Sequence, residues 1–354
     1  MAKFNKLKVA DVRKETEDCV SVNFEVPASL KDDYKFIQGQ YLTLKLFVKG
    51  EEVRRSYSVC SGVYENELRV AVKRVKGGKG SNFIYDNFKG GQEVDVMTPM
   101  GGFHSPMNAA HKKNYALFAG GSGITPMLSI LKTVLQSEPN SSMVLFYGNL
   151  NEASTIFKKQ LDELAASHSS RFKLYYIFDK PTSPIDGLYT GVMSKDKVKQ
   201  LLDKHIFLSA DNEFFICGPG PMMDNVRETL EEKKVDKPRI HIEYFVSAPV
   251  PMETQKPRIE KIISKVTVIQ YGSETTFDLA SDRKSILDAA IEHGVDAPFA
   301  CKGAVCATCR GKVLEGKVHM DKNFALTDSE VAEGYILTCQ SHPVTPVVKV
   351  DYDV

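Results

Sequence analysis

Four of the seven cysteines in this 354-residue chain fall in a pattern that could hold a redox centre. Cys301, Cys306 and Cys309 lie in the stretch ACKGAVCATCRG, residues 300–311, and Cys339 follows after 29 intervening residues. The spacing C-x4-C-x2-C…C is that of a [2Fe–2S] ligand set. Three thiolates on one tight loop can wrap a cluster, while Gly303, Ala304, Ala307 and Thr308 leave room and offer backbone N–H groups to the sulfurs. Cys339, in LTCQS, closes the cage from a separate element. Structural zinc is the competing reading, but four-cysteine zinc sites usually carry two knuckles, and Cys339 stands alone. A cluster with this spacing cycles one electron near about −400 mV, so the chain needs an electron source.

Two glycine-rich turns and one short strand could serve that source. AGGSGITPM, residues 119–127, sits between an apolar strand and a helical pattern, where a pyrophosphate can meet helix N-terminal amides. Gly120, Gly121 and Gly123 allow close approach to the anion, and Pro126 suits a first helical turn. CGPGPMM, residues 217–223, repeats the strand–turn–helix arrangement, with Cys217 and Gly218 at the end of the strand EFFI. RSYS, residues 55–58, places Arg55 and Tyr57 on one face of a regular strand and Ser56 and Ser58 on the other. Arginine can clamp a phosphate, tyrosine can stack on a ring, and Ser58 can hydrogen-bond a ring nitrogen. Downstream, GKGSNFIYD approaches a helix that Ser81 could cap, a second candidate phosphate site. Each turn or tetrapeptide alone also fits a plain packing or solvated strand.

Positioning these groups requires more than one domain, since the chain is too long for one ordinary core. The first hundred residues carry short strand-like runs, among them QYLTLKLFV, VRRSYSVCS and ELRVAVKRV, which predict a small antiparallel barrel. From about residue 112, strand and helix patterns alternate through NYALFAG, SMVLFYGN, FKLYYIF, EFFICG and RIHIEYF, the signature of a parallel sheet with crossover helices. SAPVPMETQKP lacks periodicity and reads as a linker. The final segment opens with the strand-like SKVTVIQYG and the amphipathic SILDAAIEHG before reaching the cysteines.

Net charge is +1, which gives no reason to expect nucleic acid or membrane as a partner. Residues 259–354, however, carry 10 Lys+Arg against 14 Asp+Glu, so the cysteine-bearing part is the acidic one. No run approaches 18 apolar residues, and the N-terminus lacks the apolar core of a signal peptide. Clustered cysteines suit a metal site in a reducing compartment, so the expectation is a cytoplasmic protein. Cys19 and Cys60 are expected to be buried or idle. The eight histidines show no ligand spacing, and His104, His241 and His319 are expected to pack or stay polar.

Taken in order, these pieces resemble the ferredoxin–NADP reductase superfamily with a plant-type ferredoxin domain at the C-terminus. The resemblance implies an FAD-binding β-barrel over residues 1–108, an NAD(P)-binding α/β domain over 109–246, a linker over 247–259, and an α+β, β-grasp ferredoxin domain over 260–354. RSYS resembles the family's flavin signature, GGSGITP its pyrophosphate turn, and CGPGPMM its nicotinamide-side motif. By resemblance, Arg55 contacts the flavin pyrophosphate, Tyr57 lies against the isoalloxazine or its ribityl chain, and Ser58 sits near flavin N5. Gly80, Ser81 and Asn82 offer further donors to the FAD phosphates. Gly121, Thr125 and Pro126 shape the NAD(P) turn, and Cys217, followed by Gly218, lies near the nicotinamide. Glu243 and Phe245, in IEYF, resemble the closing segment beside the flavin. Ser58, Tyr57 and Cys217 are thus the expected residues of the hydride-transfer centre, and Cys301, Cys306, Cys309 and Cys339 the cluster ligands.

The implied activity is that of an NAD(P)H-dependent oxidoreductase moving electrons from NAD(P)H through FAD and [2Fe–2S] to a partner protein. Domain order and the ferredoxin segment are most similar to the branch of phenylacetyl-CoA epoxidase reductase subunits and related oxygenase reductases. Reductases serving a hybrid-cluster protein or a Rieske oxygenase share the cofactors, one oxygenase-reductase branch uses FMN instead, and a zinc-binding assembly subunit is the non-catalytic alternative. The acidic ferredoxin segment could dock on a basic patch of the partner. One departure concerns the nucleotide. Where many relatives have an Arg for a 2′-phosphate, this chain has Leu150, and Lys180 or Arg171 would have to substitute.

Overall fold

Strands β1 (Phe4–Thr16) and β2 (Cys19–Glu25) open the chain as an antiparallel pair. The structure, a computed structural model, describes residues 3–245 and 261–354. The expected linker and the domain boundaries on either side of it lie outside the described residues. After β3 (Tyr41–Val48), β4 (Glu51–Ser58), β5 (Leu68–Lys73), helix α1 (Lys79–Asn87) and β6 (Glu93–Met97), the first sheet has the order β4-β3-β6-β1-β2-β5. A bridge between Val59 and Val70 joins the ends, so the sheet closes into a barrel. Its interior is aliphatic, with Leu7, Val22, Leu42, Leu44, Val70 and Val96 fully buried. The barrel expected from the short alternating runs is therefore present, with the long β1 added to the runs singled out in the sequence.

The second sheet is wholly parallel. It comprises β7 (Asn114–Gly120), β8 (Ser142–Asn149), β9 (Phe172–Phe178), β10 (Asn212–Cys217) and β11 (Ile240–Glu243) in the order β11-β10-β7-β8-β9. Helices α2 (Ile124–Ser137), α3 (Lys158–Ser167), α4 (Lys195–His205) and α5 (Gly220–Glu232) cross over between them. The strand order runs outward from β7 in one direction and returns to its other side at β10. That reversal leaves a crevice at the carboxyl ends of β7 and β10, where ligands of such sheets bind. Both glycine-rich turns lie there. The core of this domain reaches into the barrel: Cys19, Cys60, Ala71 and Phe103 pack in one cluster with α2, β7 and β8.

The third unit is a five-stranded sheet of β12 (Ile263–Gln270), β13 (Ser273–Ala280), β14 (Arg310–Glu315), β16 (Tyr335–Leu337) and β18 (Val347–Asp351), ordered β13-β12-β18-β14-β16. Strands β15 (Val318–Met320) and β17 (Ser341–Pro343) form a separate pair, and α6 (Ile286–Glu292) and α7 (Asp328–Ala332) complete the unit. Helix α6 packs an apolar face of Ile286, Leu287, Ala289 and Ala290 onto the sheet. The cysteine loop runs from the end of this helix region into β14, and Cys339 lies on a single turn between β16 and β17.

Candidate redox site

The cysteine loop owes its shape to backbone that few side chains favour. Lys302, Ala304 and Ala307 all have positive φ, at 50°, 65° and 51°. Such left-handed residues cost roughly 1–3 kcal/mol each unless the surroundings hold them. In return they turn successive N–H groups inward. The Gly303 amide donates to Cys301 Sγ at 3.2 Å, and the Gln340 side chain approaches Cys339 Sγ at 3.8 Å. Among the described residues, no three or more His, Cys, Asp or Glu side chains gather as a single metal ion requires. The neighbouring Cys306 pulls the Cys301 thiol below the ordinary range and Cys309 does the same for Cys339, while those partners are themselves pushed up by their neighbours and by burial.

The RSYS segment lies on β4, and the two faces of this strand part as alternation requires. Arg55 and Tyr57 turn toward α1: a Cβ added at Gly80 would lie 2.9 Å from Arg55 Cγ and 3.6 Å from the Tyr57 hydroxyl. Gly80 is thus a point of close approach, and a guanidinium, a phenol and the first turn of α1 meet there. Desolvation keeps the Tyr57 phenol neutral, only partly offset by Arg55. Ser81 does not cap this helix. Gly78 occupies the N-cap, and the Ser81 hydroxyl accepts from the Val75 amide at 3.1 Å, one turn inside. Asn82 is committed in the same way, its side chain bonding the Val75 carbonyl and Arg74. The donors left for an anion are the backbone N–H groups of the first turn, which have no partner inside a helix.

On the opposite face of β4, Ser58 is 3% exposed and donates to Glu243 Oε2 at 3.3 Å. Glu243 ends β11 and pairs in register with Cys217, the last residue of β10. Burial pushes the Glu243 carboxyl up to about 8, with the Ser58 hydroxyl acting against the shift. Cys217 is fully buried, and desolvation with the nearby Glu243 drives its thiol well up. It is a neutral thiol rather than a nucleophile. Ser58, Glu243 and Cys217 therefore converge at the mouth of the crevice, although 185 residues separate the first two.

The two glycine turns interlock beside them. A Cβ at Gly123 would fall 2.1 Å from the Cys217 carbonyl oxygen, and one at Gly120 would fall 2.5 Å from Pro219 Cδ. Gly121 has a φ of +53°, and its carbonyl accepts from the Tyr147 hydroxyl at 2.9 Å. Thr125 closes the turn by donating to the Ser122 carbonyl at 3.0 Å, with Pro126 buried behind it in the first turn of α2. Gly218 faces Gly120 across the crevice floor, and a Cβ on Gly218 would stand 2.9 Å from the Gly120 amide nitrogen.

At the sheet's far ligand edge, Leu150 is 51% exposed and its carbonyl accepts from the Lys180 amide at 2.8 Å. Arg171 is not available there. Its guanidinium donates to the carbonyls of Leu135, Glu138 and Ser141 at the opposite end of the strands. Phe245 is 38% exposed, and the preceding Tyr244 packs at 5.3 Å on Phe324 of the cysteine-bearing unit. The bland expectations for other residues hold: Cys19 and Cys60 are buried in the core, and His241 pairs with Glu213 and stacks on Phe215. Sequence reading missed Tyr41 and Arg54, which join the barrel to the cysteine loop. No local signal marks them, since each looks like one more residue of a strand.

Three family models match in chain order: an oxidoreductase FAD-binding domain over residues 6–105, an oxidoreductase NAD-binding domain over 117–228, and a 2Fe-2S iron–sulfur cluster binding domain over 268–344. The chain is 41% identical to the E component of the 1,2-phenylacetyl-CoA epoxidase of Escherichia coli (strain K12), over 100% of this chain and 99% of that one. It is 34% identical to the ferredoxin reductase component of 3-ketosteroid-9-alpha-monooxygenase of Rhodococcus rhodochrous, covering 98% and 96%. Among solved structures it is similar to phthalate dioxygenase reductase, described as modular for electron transfer from pyridine nucleotides to [2Fe-2S], at 25% identity and a TM-score of 0.59 over 98% of both chains.

Proposed function

The chain belongs to the family of oxygenase reductase components that join FAD-binding, NAD-binding and [2Fe–2S] domains, and from that premise we propose that its acceptor is the oxygenase component of a phenylacetyl-CoA epoxidase-type system. It is an NAD(P)H-dependent flavin iron–sulfur oxidoreductase. The finer assignment is supported by the identity to the epoxidase component along the whole chain. A bound flavin would supply hydride acceptance from NAD(P)H and one-electron donation, and a bound [2Fe–2S] cluster would supply one-electron transfer toward the partner.

The observation that carries the catalytic reading is the Ser58–Glu243 bond, which ties the barrel to the end of the nucleotide domain beside Cys217. Burial holds the Glu243 carboxyl well above the ordinary carboxylate range, at about 8, which favours its protonated form at neutral pH. A protonated carboxyl can donate to Ser58 Oγ, which frees the serine O–H to point at a ring nitrogen. The pair is thus able to hold and pass a proton at the hydride-receiving edge. Cys217, neutral and buried, would shape the wall against the nicotinamide. Arg55 and the first-turn amides of α1 would hold the flavin pyrophosphate over Gly80, with Tyr57 against the ring system or its ribityl chain. Gly121 and Thr125 would shape the turn for the nicotinamide nucleotide. Cys301, Cys306, Cys309 and Cys339 would ligate the cluster.

Lys180, next to Leu150, is the cation left to read a 2′-phosphate. No helix among the described residues is long and apolar enough to cross a membrane, and a cytoplasmic location fits seven free cysteines. The test is an anaerobic titration with NADH and NADPH followed in the visible, then turnover with candidate oxygenases. Flavin and cluster bands should bleach together, and the epoxidase oxygenase should turn over faster than a Rieske oxygenase or hybrid-cluster protein. If Lys180→Ala weakens NADPH several-fold and spares NADH, Lys180 reads the phosphate. Equal support of all acceptors would remove the epoxidase assignment.

A further inference from the structure

Tyr41 has no part in the catalytic reading, yet it is among the most constrained side chains of the barrel. It is 5% exposed, and its backbone pairs with Met100 in both directions, at 2.8 and 3.0 Å. Across β3 and β4 its register partner is Ser58, so the two side chains share a face. Gly101, with a φ of +119°, lies under the ring; a Cβ there would stand 3.0 Å from two ring carbons. The ring is held from below and can only extend outward. Its hydroxyl does so into the cysteine loop, donating to the Cys306 carbonyl and lying 3.0 Å from Thr308 Oγ1. Ala300 and Cys306 are buried against it, with Cys301 and Met100 at the edge.

A second contact comes from β4, on the N-terminal side of Arg55. The Arg54 side chain, 6% exposed, stacks over Phe299 at 4.2 Å and approaches Asp296 at 3.5 Å. Both contacts land on the segment just before or within the cysteine loop. The Cys306 carbonyl that Tyr41 grips precedes Ala307, whose left-handed backbone swings the chain round to Thr308 and Cys309.

We infer that Tyr41 is a positioning residue whose hydroxyl fixes the cysteine loop against the flavin strand and so sets the separation that electrons cross between the two centres. The inference rests on the reading of β4 as the flavin strand and Cys306 as a cluster ligand. Tyr41 makes and breaks no bond and is not itself oxidised.

The test uses the holoenzyme with Tyr41→Phe and, separately, Thr308→Val. NADH is mixed anaerobically while flavin and cluster bands are followed apart, and amide exchange is read over residues 300–311. In Tyr41→Phe, flavin bleaching should stay within about twofold of the parent, cluster bleaching should slow about tenfold, and loop exchange should quicken by a similar factor, as loss of one buried hydrogen bond allows. Thr308→Val should act in the same direction and add little to Tyr41→Phe. It also carries the test should Tyr41→Phe fail to fold. Unchanged cluster bleaching overturns the inference, even with faster exchange, because the hydroxyl then only stiffens the loop. Equal slowing of both bands overturns it too, since Tyr41 would then act on the flavin side. A parent protein with flavin bands and no cluster bands would instead bring down the underlying reading, and the inference with it.

Discussion

The barrel meets its two neighbours in opposite ways. Toward the α/β domain it shares a continuous apolar core: Cys19, Cys60, Ala71 and Phe103 belong to the cluster that contains the apolar face of α2, and Phe103 meets Phe215 edge-on at 5.3 Å. Toward the ferredoxin unit it offers a small cluster around Tyr41 and a polar contact through Arg54. The chemistry at each junction accounts for the difference. Hydride transfer needs reacting atoms held about 3–3.5 Å apart, so the domains that carry flavin and nicotinamide are fused. Passing an electron demands less of the geometry, and a junction of few contacts suffices.

The largest effect is expected from Gly123→Ala, inside the nucleotide domain that the rigid junction holds against the barrel. Its Cβ would meet the Cys217 carbonyl oxygen at 2.1 Å, a backbone atom with no flexible side chain to give way. A loss of about 3 kcal/mol in stability is expected from such overpacking, with a large rise in KM for NAD(P)H. Calorimetry and initial rates would check it; a variant of parent stability would mean that the two turns do not interlock.

A middle-sized effect should follow from Glu243→Gln. In the folded chain the carboxyl ionises near 8 against an ordinary 4.5. A raised carboxyl pKa favours the native state at low pH, and that advantage fades as pH rises from about 4.5 through 8. The parent should therefore lose stability across this window relative to Glu243→Gln, by roughly 2–4 °C in Tm. Flavin reduction in the variant should be slower and lose its pH dependence near 8. A profile identical to the parent would detach Glu243 from proton handling.

The loose junction should respond least. Asp296 is 68% exposed, so Asp296→Asn removes a screened ion pair worth about 0.2–1 kcal/mol. Cluster reduction should change by less than about threefold, and added salt should reproduce the change in the parent. A larger loss would place more of the junction on Arg54 than on Tyr41.

Much of this architecture is legible in the residue pattern alone. The change from alternating runs to a strand–helix rhythm near residue 112 marks the passage from barrel to parallel sheet, because side-chain period reports burial directly. The glycines of AGGSG and CGPG mark turns for the same local reason. Ser81 as a cap was not borne out, since Gly78 begins the helix one turn earlier and the serine hydroxyl bonds back to Val75. Of the two cations named as substitutes for the missing arginine, Arg171 precedes its strand and serves carbonyls at the opposite edge of the sheet.

Spacing by itself determined the number and order of the units, the cysteines able to reach a common cluster, and the turns able to approach an anion. These depend on contacts a few residues apart, which covalent reach constrains. Tertiary structure alone decided that Cys339 comes beside Cys309 and that Gly123 lies under Cys217. It also decided that Ser58 meets Glu243, and that Tyr41 rather than any cysteine neighbour in sequence bridges to the loop. Such pairings arise from strand register and domain packing between residues up to 267 positions apart. No local pattern encodes them, because each residue's partner is set by the fold of every segment between.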